Sequence, residues 1–235
     1  MRRICIFAAL LIVALAPKPG LAATAAQTCY NDVVNGNFAA AIKDCTTAIN
    51  QNAKDEASYV NRCDANNSLG NYSSGVADCT QAITLDPKDD IAYSNRCSSY
   101  DSLGNNTAAV SDCTQALIIN PKNAQAFNNR CDAYSGEGNY TSAIADCSQA
   151  VALNPKYQQA YVSRCNAYDN LGNYTAALTD CSQAVTLDPN DPIALHDRCA
   201  TYNDLGNYNS GIADCTAAIA LKPNDEYAYT SRCSA

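Results

Sequence analysis

The sequence predicts an all-α solenoid of antiparallel helix pairs, and three observations carry that prediction. Cys5 apart, the cysteines are Cys29, Cys45, Cys63, Cys79, Cys97, Cys113, Cys131, Cys147, Cys165, Cys181, Cys199, Cys215 and Cys233, with spacings that alternate 16 and 18 without exception. Pro87, Pro121, Pro155, Pro189 and Pro223 keep the same beat of 34, as do Gly36, Gly70, Gly104, Gly138, Gly172 and Gly206. Between these marks, small and apolar residues recur at helical spacing. A fixed period in this range means stacked units rather than one globular core.

The first element lies outside the repeat. Residues 1–26 read as a secretory signal peptide: Arg2 and Arg3, an apolar run over Ile4–Ala16, then small residues around Ala22 to Ala26. The run is short for a span of about 30 Å of hydrocarbon, and an uncleaved anchor is the alternative. Later stretches are also too short to span, so no membrane association is expected after cleavage, which is placed between Ala23 and Gln27. The location expected is extracellular or periplasmic. Export accounts for a cysteine content that a reducing cytosol would leave without structural use.

Residues 27–225 then hold six units. In the unit Asp90 to Asn123, Tyr93, Cys97 and Tyr100 share one face of a first helix. Leu103-Gly104-Asn105 ends it, with glycine supplying the left-handed conformation of a helix C-terminus. Ala109, Cys113, Ala116 and Ile119 mark the buried stripe of a second helix, which Pro121 closes. Two helices of about 14 residues cannot bury their faces alone, so neighbouring units must stack. Residues 226–235 form a half-helix, either a cap or a segment donated to a neighbouring molecule.

Ala92–Pro121, with its aromatic, small, tyrosine, Leu-Gly, alanine, alanine and proline positions, resembles the tetratricopeptide repeat family, and six units from Cys29 to Cys233 agree. The resemblance implies a right-handed superhelix, with first helices lining a concave face and second helices outside. The departure is the eighth position, small in the family and cysteine throughout here. In the family that position lies where the two helices of a repeat approach closest. This implies the pairs Cys29–Cys45, Cys63–Cys79, Cys97–Cys113, Cys131–Cys147, Cys165–Cys181 and Cys199–Cys215. A rival scheme, Cys45–Cys63 onward, would join consecutive repeats, and spacing does not choose between them. Buried free thiols are a third alternative. No Cys-x-x-Cys pair occurs and His196 is the one histidine, so no metal site or cofactor is expected.

Arg62, Arg96, Arg130, Arg164 and Arg198 each precede a first-helix cysteine, and Asp78, Asp112, Asp146, Asp180 and Asp214 precede its proposed partner. These read as five ion pairs within repeats; as exposed pairs each would contribute about 0–1 kcal/mol and chiefly fix register. The ends of the pattern do not close. Cys233 is left over, Arg232 lacks an aspartate, and Asp44 lacks an arginine because Thr28 stands in its place. Head-to-tail stacking that brings Arg232 to Asp44, and Cys233 near Cys45, is the expectation this raises.

Asn71, Asn105, Asn139 and Asn173 head N-glycosylation acceptor patterns at one repeat position, and Asn66 heads an extra one. A plain turn-and-cap role is the alternative. Alignment to the family places Asp64, Asn67, Ser98, Asp101, Asp132, Asn166, Asp169 and Asp204 on the concave face. Asn61, Asn95 and Asn129 match the subgroup that clamps a peptide carboxylate, but its lysines are absent. A basic or polar peptide, or a sugar, suits this acidic face better.

Asp and Glu number 23 against 15 Lys and Arg, for a net charge of −8, which excludes a phosphate-neutralising surface and so nucleic acid. No nucleophile–base set rises above the repeat background, and His196 reads as an ordinary surface residue. The expected function is a non-catalytic secreted scaffold for protein or peptide partners; the alternative is a structural protein that self-associates head to tail into a filament.

Overall fold

The computed structural model describes residues 24–224 and 226–233, and among them every regular element is an α-helix. In order these are α1 (Ala25–Val34), α2 (Phe38–Gln51), α3 (Glu56–Ser68), α4 (Tyr72–Leu85), α5 (Asp90–Ser102), α6 (Asn106–Ile119), α7 (Ala124–Gly136), α8 (Tyr140–Leu153), α9 (Gln158–Asn170), α10 (Tyr174–Leu187), α11 (Pro192–Asp204), α12 (Tyr208–Leu221) and α13 (Glu226–Cys233). The expected signal segment lies outside the described residues up to position 23. Thr24 caps α1 by accepting from the Gln27 amide, so residues 24–26 belong to the first helix.

The hairpin turn shows why the repeat punctuates where it does. At the end of α5, the Gly104 N–H donates to the Asp101 carbonyl and the Asn105 N–H to the Tyr100 carbonyl, both at 2.9 Å. This Schellman closure requires a left-handed residue, and Gly104 supplies φ +77°. Asn105 then begins the next helix, its side chain accepting from the Ala108 N–H. The other repeat-position glycines lie at φ +74° to +79°.

Among the described residues, those from Thr24 to Asn129 form one compact unit and those from Arg130 a second. In the first, α1/α2, α3/α4 and α5/α6 are hairpins, with α2 against α3 and α4 against α5. In the second, α9/α10 and α11/α12 are hairpins, α8 packs on α9, and α13 packs on both α11 and α12. Two kinds of apolar layer recur. Within a hairpin, cystine and alanine fill the gap, as in the cluster of Cys165, Ala177 and Cys181 with Tyr168. Between repeats, a branched residue meets two alanines, as Val60 meets Ala82 and Ala92, or Val162 meets Ala184 and Ala194.

The expected stripe on α6 needs one correction. Ala109, Cys113 and Ala116 are buried, but Leu117 completes the core, packing with Ala126, while Ile119 is half-buried. Position 117 lies one turn past Cys113 and so stays on its buried face, whereas position 119, six residues on, has rotated off it.

Candidate functional site

The cysteines pair within repeats. Cys29–Cys45, Cys63–Cys79, Cys97–Cys113, Cys131–Cys147, Cys165–Cys181 and Cys199–Cys215 each span 16 residues, and each pair is fully buried. Cα–Cα separations are 4.8 Å in the first and 5.5 Å in the rest, the ordinary spacing of a disulfide. Cys233 is free and exposed among the described residues.

The five Arg–Asp pairs form, but not as exposed ones. Asp78, Asp112, Asp146, Asp180 and Asp214 are only 4–9% exposed. Arg96 donates from Nε and Nη2 to the two oxygens of Asp112 at 2.6 and 2.9 Å, a bidentate fork, and the other four repeat it. The hydrogen bond to its aspartate holds each of Arg96, Arg130, Arg164 and Arg198 above the usual guanidinium range. A third donor reaches the preceding repeat: Arg62 Nη1 to Thr46 Oγ1 at 2.9 Å, Arg96 to Thr80 at 3.0 Å, and Arg164 to Ser148 at 3.0 Å. Tyrosines one turn away cover the guanidinium, Tyr93 and Tyr100 on either side of Arg96. The arginines thus join repeats where the disulfides do not. The shallow cleft lined by Thr46, Arg62, Asn66 and Asp78 is built from groups already spent on these bonds.

The residues assigned to the inner face divide into two sets. Asn67 is structural: its amide donates to the Asn95 carbonyl at 2.9 Å and accepts from Ser99 at 2.6 Å, fastening α3 to α5. Gly75 makes room for it, since a Cβ there would lie 2.2 Å from Asn67 Oδ1. Asn203 and Gly211 repeat the pairing, with Asn203 donating to the Ser231 carbonyl at 2.8 Å. Asp64 is buried, and desolvation pushes its carboxyl up to about 7. Asp132 is also buried, whereas Ser98, Asp101, Asn166 and Asp169 are half-buried and Asp204 is exposed. In the second unit Asp169 accepts from Thr201, yet its carboxyl is raised, first by burial and then by the charges of Asp204 and Asp197. Three carboxylates therefore share one stretch of the α9/α11 face.

His196 has partners that its sequence position does not disclose. Nε2 lies 3.1 Å from Ser231 Oγ and Nδ1 3.2 Å from Asp197 Oδ1. Ser231 lies within α13 and His196 within α11, where backbone N–H groups are committed to helical bonds and cannot serve as an oxyanion hole. The trio holds α13 against α11. Arg232 stacks on Tyr229 at 5.3 Å, and Asp44 is half-buried on α2.

At the turn edge, Asn71, Asn105, Asn139 and Asn173 are exposed, but Asn66 is buried with its amide donating to Asp78 at 3.0 Å.

Residues 124–157 and 159–191 match the tetratricopeptide repeat family. These are tetratricopeptide repeats. Beyond them, solved structures share the fold. The crystal structure of the APC/C hetero-tetramer Cut9-Hcn1 superimposes with a TM-score of 0.83 at 15% identity, over 88% of this chain; this chain spans 41% of that one. TTC0263, a thermophilic TPR protein of Thermus thermophilus, gives 0.66 at 19% identity, over 76% of this chain and 97% of its own. YrrB, described as a TPR protein with an unusual peptide-binding site, gives 0.57 at 21%, over 80% and 97%. No curated protein matches the chain. The tetratricopeptide fold is the architecture that the repeat pattern implies.

Proposed function

We propose that the chain is an exported, non-catalytic tetratricopeptide scaffold that binds a basic polypeptide along the inner faces of its first helices. The observation that carries this reading is the acidic stretch of Asp169, Asp197 and Asp204, where burial and repulsion from its two neighbours raise the Asp169 carboxyl. A lysine or arginine side chain relieves both. Nearby half-buried Asn166 adds hydrogen-bonding capacity for a peptide backbone. The peptide-binding site described for YrrB supports the class of ligand, not its charge. Export is supported by the leader-like sequence of residues 1–26 and by six cystines, which an oxidising compartment maintains.

Titration of a lysine-rich peptide into the folded protein tests this. Asp169→Asn with Asp204→Asn should weaken binding at least tenfold and flatten its salt dependence. Binding unchanged by both substitutions contradicts the reading.

Self-association is a second reading, favoured by α13, which carries both Tyr227, 68% exposed, and the free thiol of Cys233. It pictures head-to-tail contact that brings Arg232 of one molecule to Asp44 of the next. Sedimentation over a wide concentration range tests it, and Tyr227→Asp should shift any oligomer toward monomer.

A further inference from the structure

The hairpin-turn edge carries a pattern that neither the fold nor peptide binding uses. Asn71, Asn105, Asn139 and Asn173 occupy the same turn position, all exposed, and each has serine or threonine two residues on. The capping requirement explains half of this pattern. Asn105, Asn139 and Asn173 accept through Oδ1 from the N–H three residues later, which leaves Nδ2 pointing away from the backbone donors. Asn71 makes one long contact, from Nδ2 to Asn66 Oδ1 at 3.4 Å.

At three of the four turns the second half has no structural task among the described residues. The hydroxyls of Ser73, Thr141 and Thr175 are exposed and make no hydrogen bond among the described residues. A cap needs only the asparagine, whereas an acceptor sequon needs the hydroxyl as well. The neighbouring surface adds a reason at three of the four positions. Leu69, Leu103 and Leu171 each stand two residues before one of these asparagines and are 45–53% exposed. A bulky hydrated group on the adjacent asparagine shields such apolar positions.

We propose that Asn71, Asn105, Asn139 and Asn173 are N-glycosylation sites. The donor class is a lipid-pyrophosphate-linked oligosaccharide. Asn Nδ2 attacks the anomeric carbon, the N–C bond forms as the carbon–oxygen bond to phosphate breaks, the lipid pyrophosphate leaves with the electron pair, and the amide gives up one proton. Asn66 remains bare in the folded protein, because its amide is buried on Asp78.

The proposal rests on export of the chain, and the two fail separately. Glycopeptide mapping of the full-length protein from its own source cell, before and after enzymatic deglycosylation, should find glycan at the four turn asparagines. Asn139→Asp keeps the capping oxygen and Thr141→Val keeps the asparagine; each should remove one glycan mass while the helical circular dichroism stays unchanged. Glycan that persists at Asn139 in Thr141→Val overturns the assignment of the hydroxyl. An exported chain with four bare asparagines overturns the proposal and leaves export standing. A chain retained inside the cell and bare overturns both.

Discussion

Arg96 illustrates how much one side chain does in this molecule. It grips Asp112 with two donors, reaches Thr80 of the preceding repeat with a third, and lies between two tyrosines. Because Asp112 is buried, the pair is not the weak surface bridge that its sequence spacing alone would suggest. Removing the carboxylate strands a guanidinium against apolar rings. Asp112→Ala should therefore cost on the order of 2–3 kcal/mol in urea denaturation, well above an exposed pair. Asn67 and Gly75 make a second residue-scale case. Gly75→Ala thrusts a methyl group into the Asn67 amide and should cost about 1–3 kcal/mol. Asn67→Ala alone loses the bonds to Asn95 and Ser99. The double variant should be less destabilised than the sum of the two, since the clash disappears with the amide.

At the scale of helices, the corners between repeats are held by polar groups. Asp90, opening α5, accepts from Asn120 and Asn123 at the end of its repeat, at 3.0 and 2.7 Å. The corner at the start of α3 is acidic instead. Burial, a hydrogen bond to Asp89 and the charges of Asp89, Asp86 and Asp55 push the Glu56 carboxyl up to about 8. The folded chain thus holds a proton that the unfolded chain releases near pH 4.5. Stability is full below that pH and falls as pH rises toward 8. Asp64, raised by burial to about 7, adds a fall in the same direction. Glu56→Gln retains a donor without a titration, so thermal melts of this variant should lose less stability between pH 5 and 8 than the parent. An equal or steeper loss would contradict the assignment.

The helices themselves are legible in the sequence because glycine at a left-handed turn and proline after each second helix are local requirements. The disulfide partners are legible only through resemblance to a repeat family. Other features depend on register between chain segments 16–35 residues apart, which periodicity does not encode. Asn67 has the sequence signature of a ligand contact, yet its amide is spent on the Asn95 carbonyl. The same distance in sequence hides the pairing of His196 with Ser231. Thr46, Thr80 and Ser148 carry no signal beyond recurrence, yet they anchor the arginines.

For the whole molecule, the economy of the core decides what holds it together. Alanine and cystine occupy most fully buried positions, so large aliphatic side chains contribute less than in an ordinary domain. Each disulfide closes a loop of 16 residues and contributes roughly 3 kcal/mol by restricting the unfolded chain. Every hairpin is sealed separately, and cohesion between repeats falls to packing and to the arginine and asparagine bonds. Reduction should accordingly lower the melting temperature sharply at neutral pH, in a scan with and without a strong reductant. Both the fold and the proposed export depend on the same covalent pattern. Non-reducing peptide mapping of the full-length protein is the most direct test. It should recover six cystines, each spanning 16 residues, with Cys233 as a thiol or joined to a second molecule. Cystines spanning 18 residues, as in the rival scheme Cys45–Cys63 onward, or free thiols throughout, would contradict it.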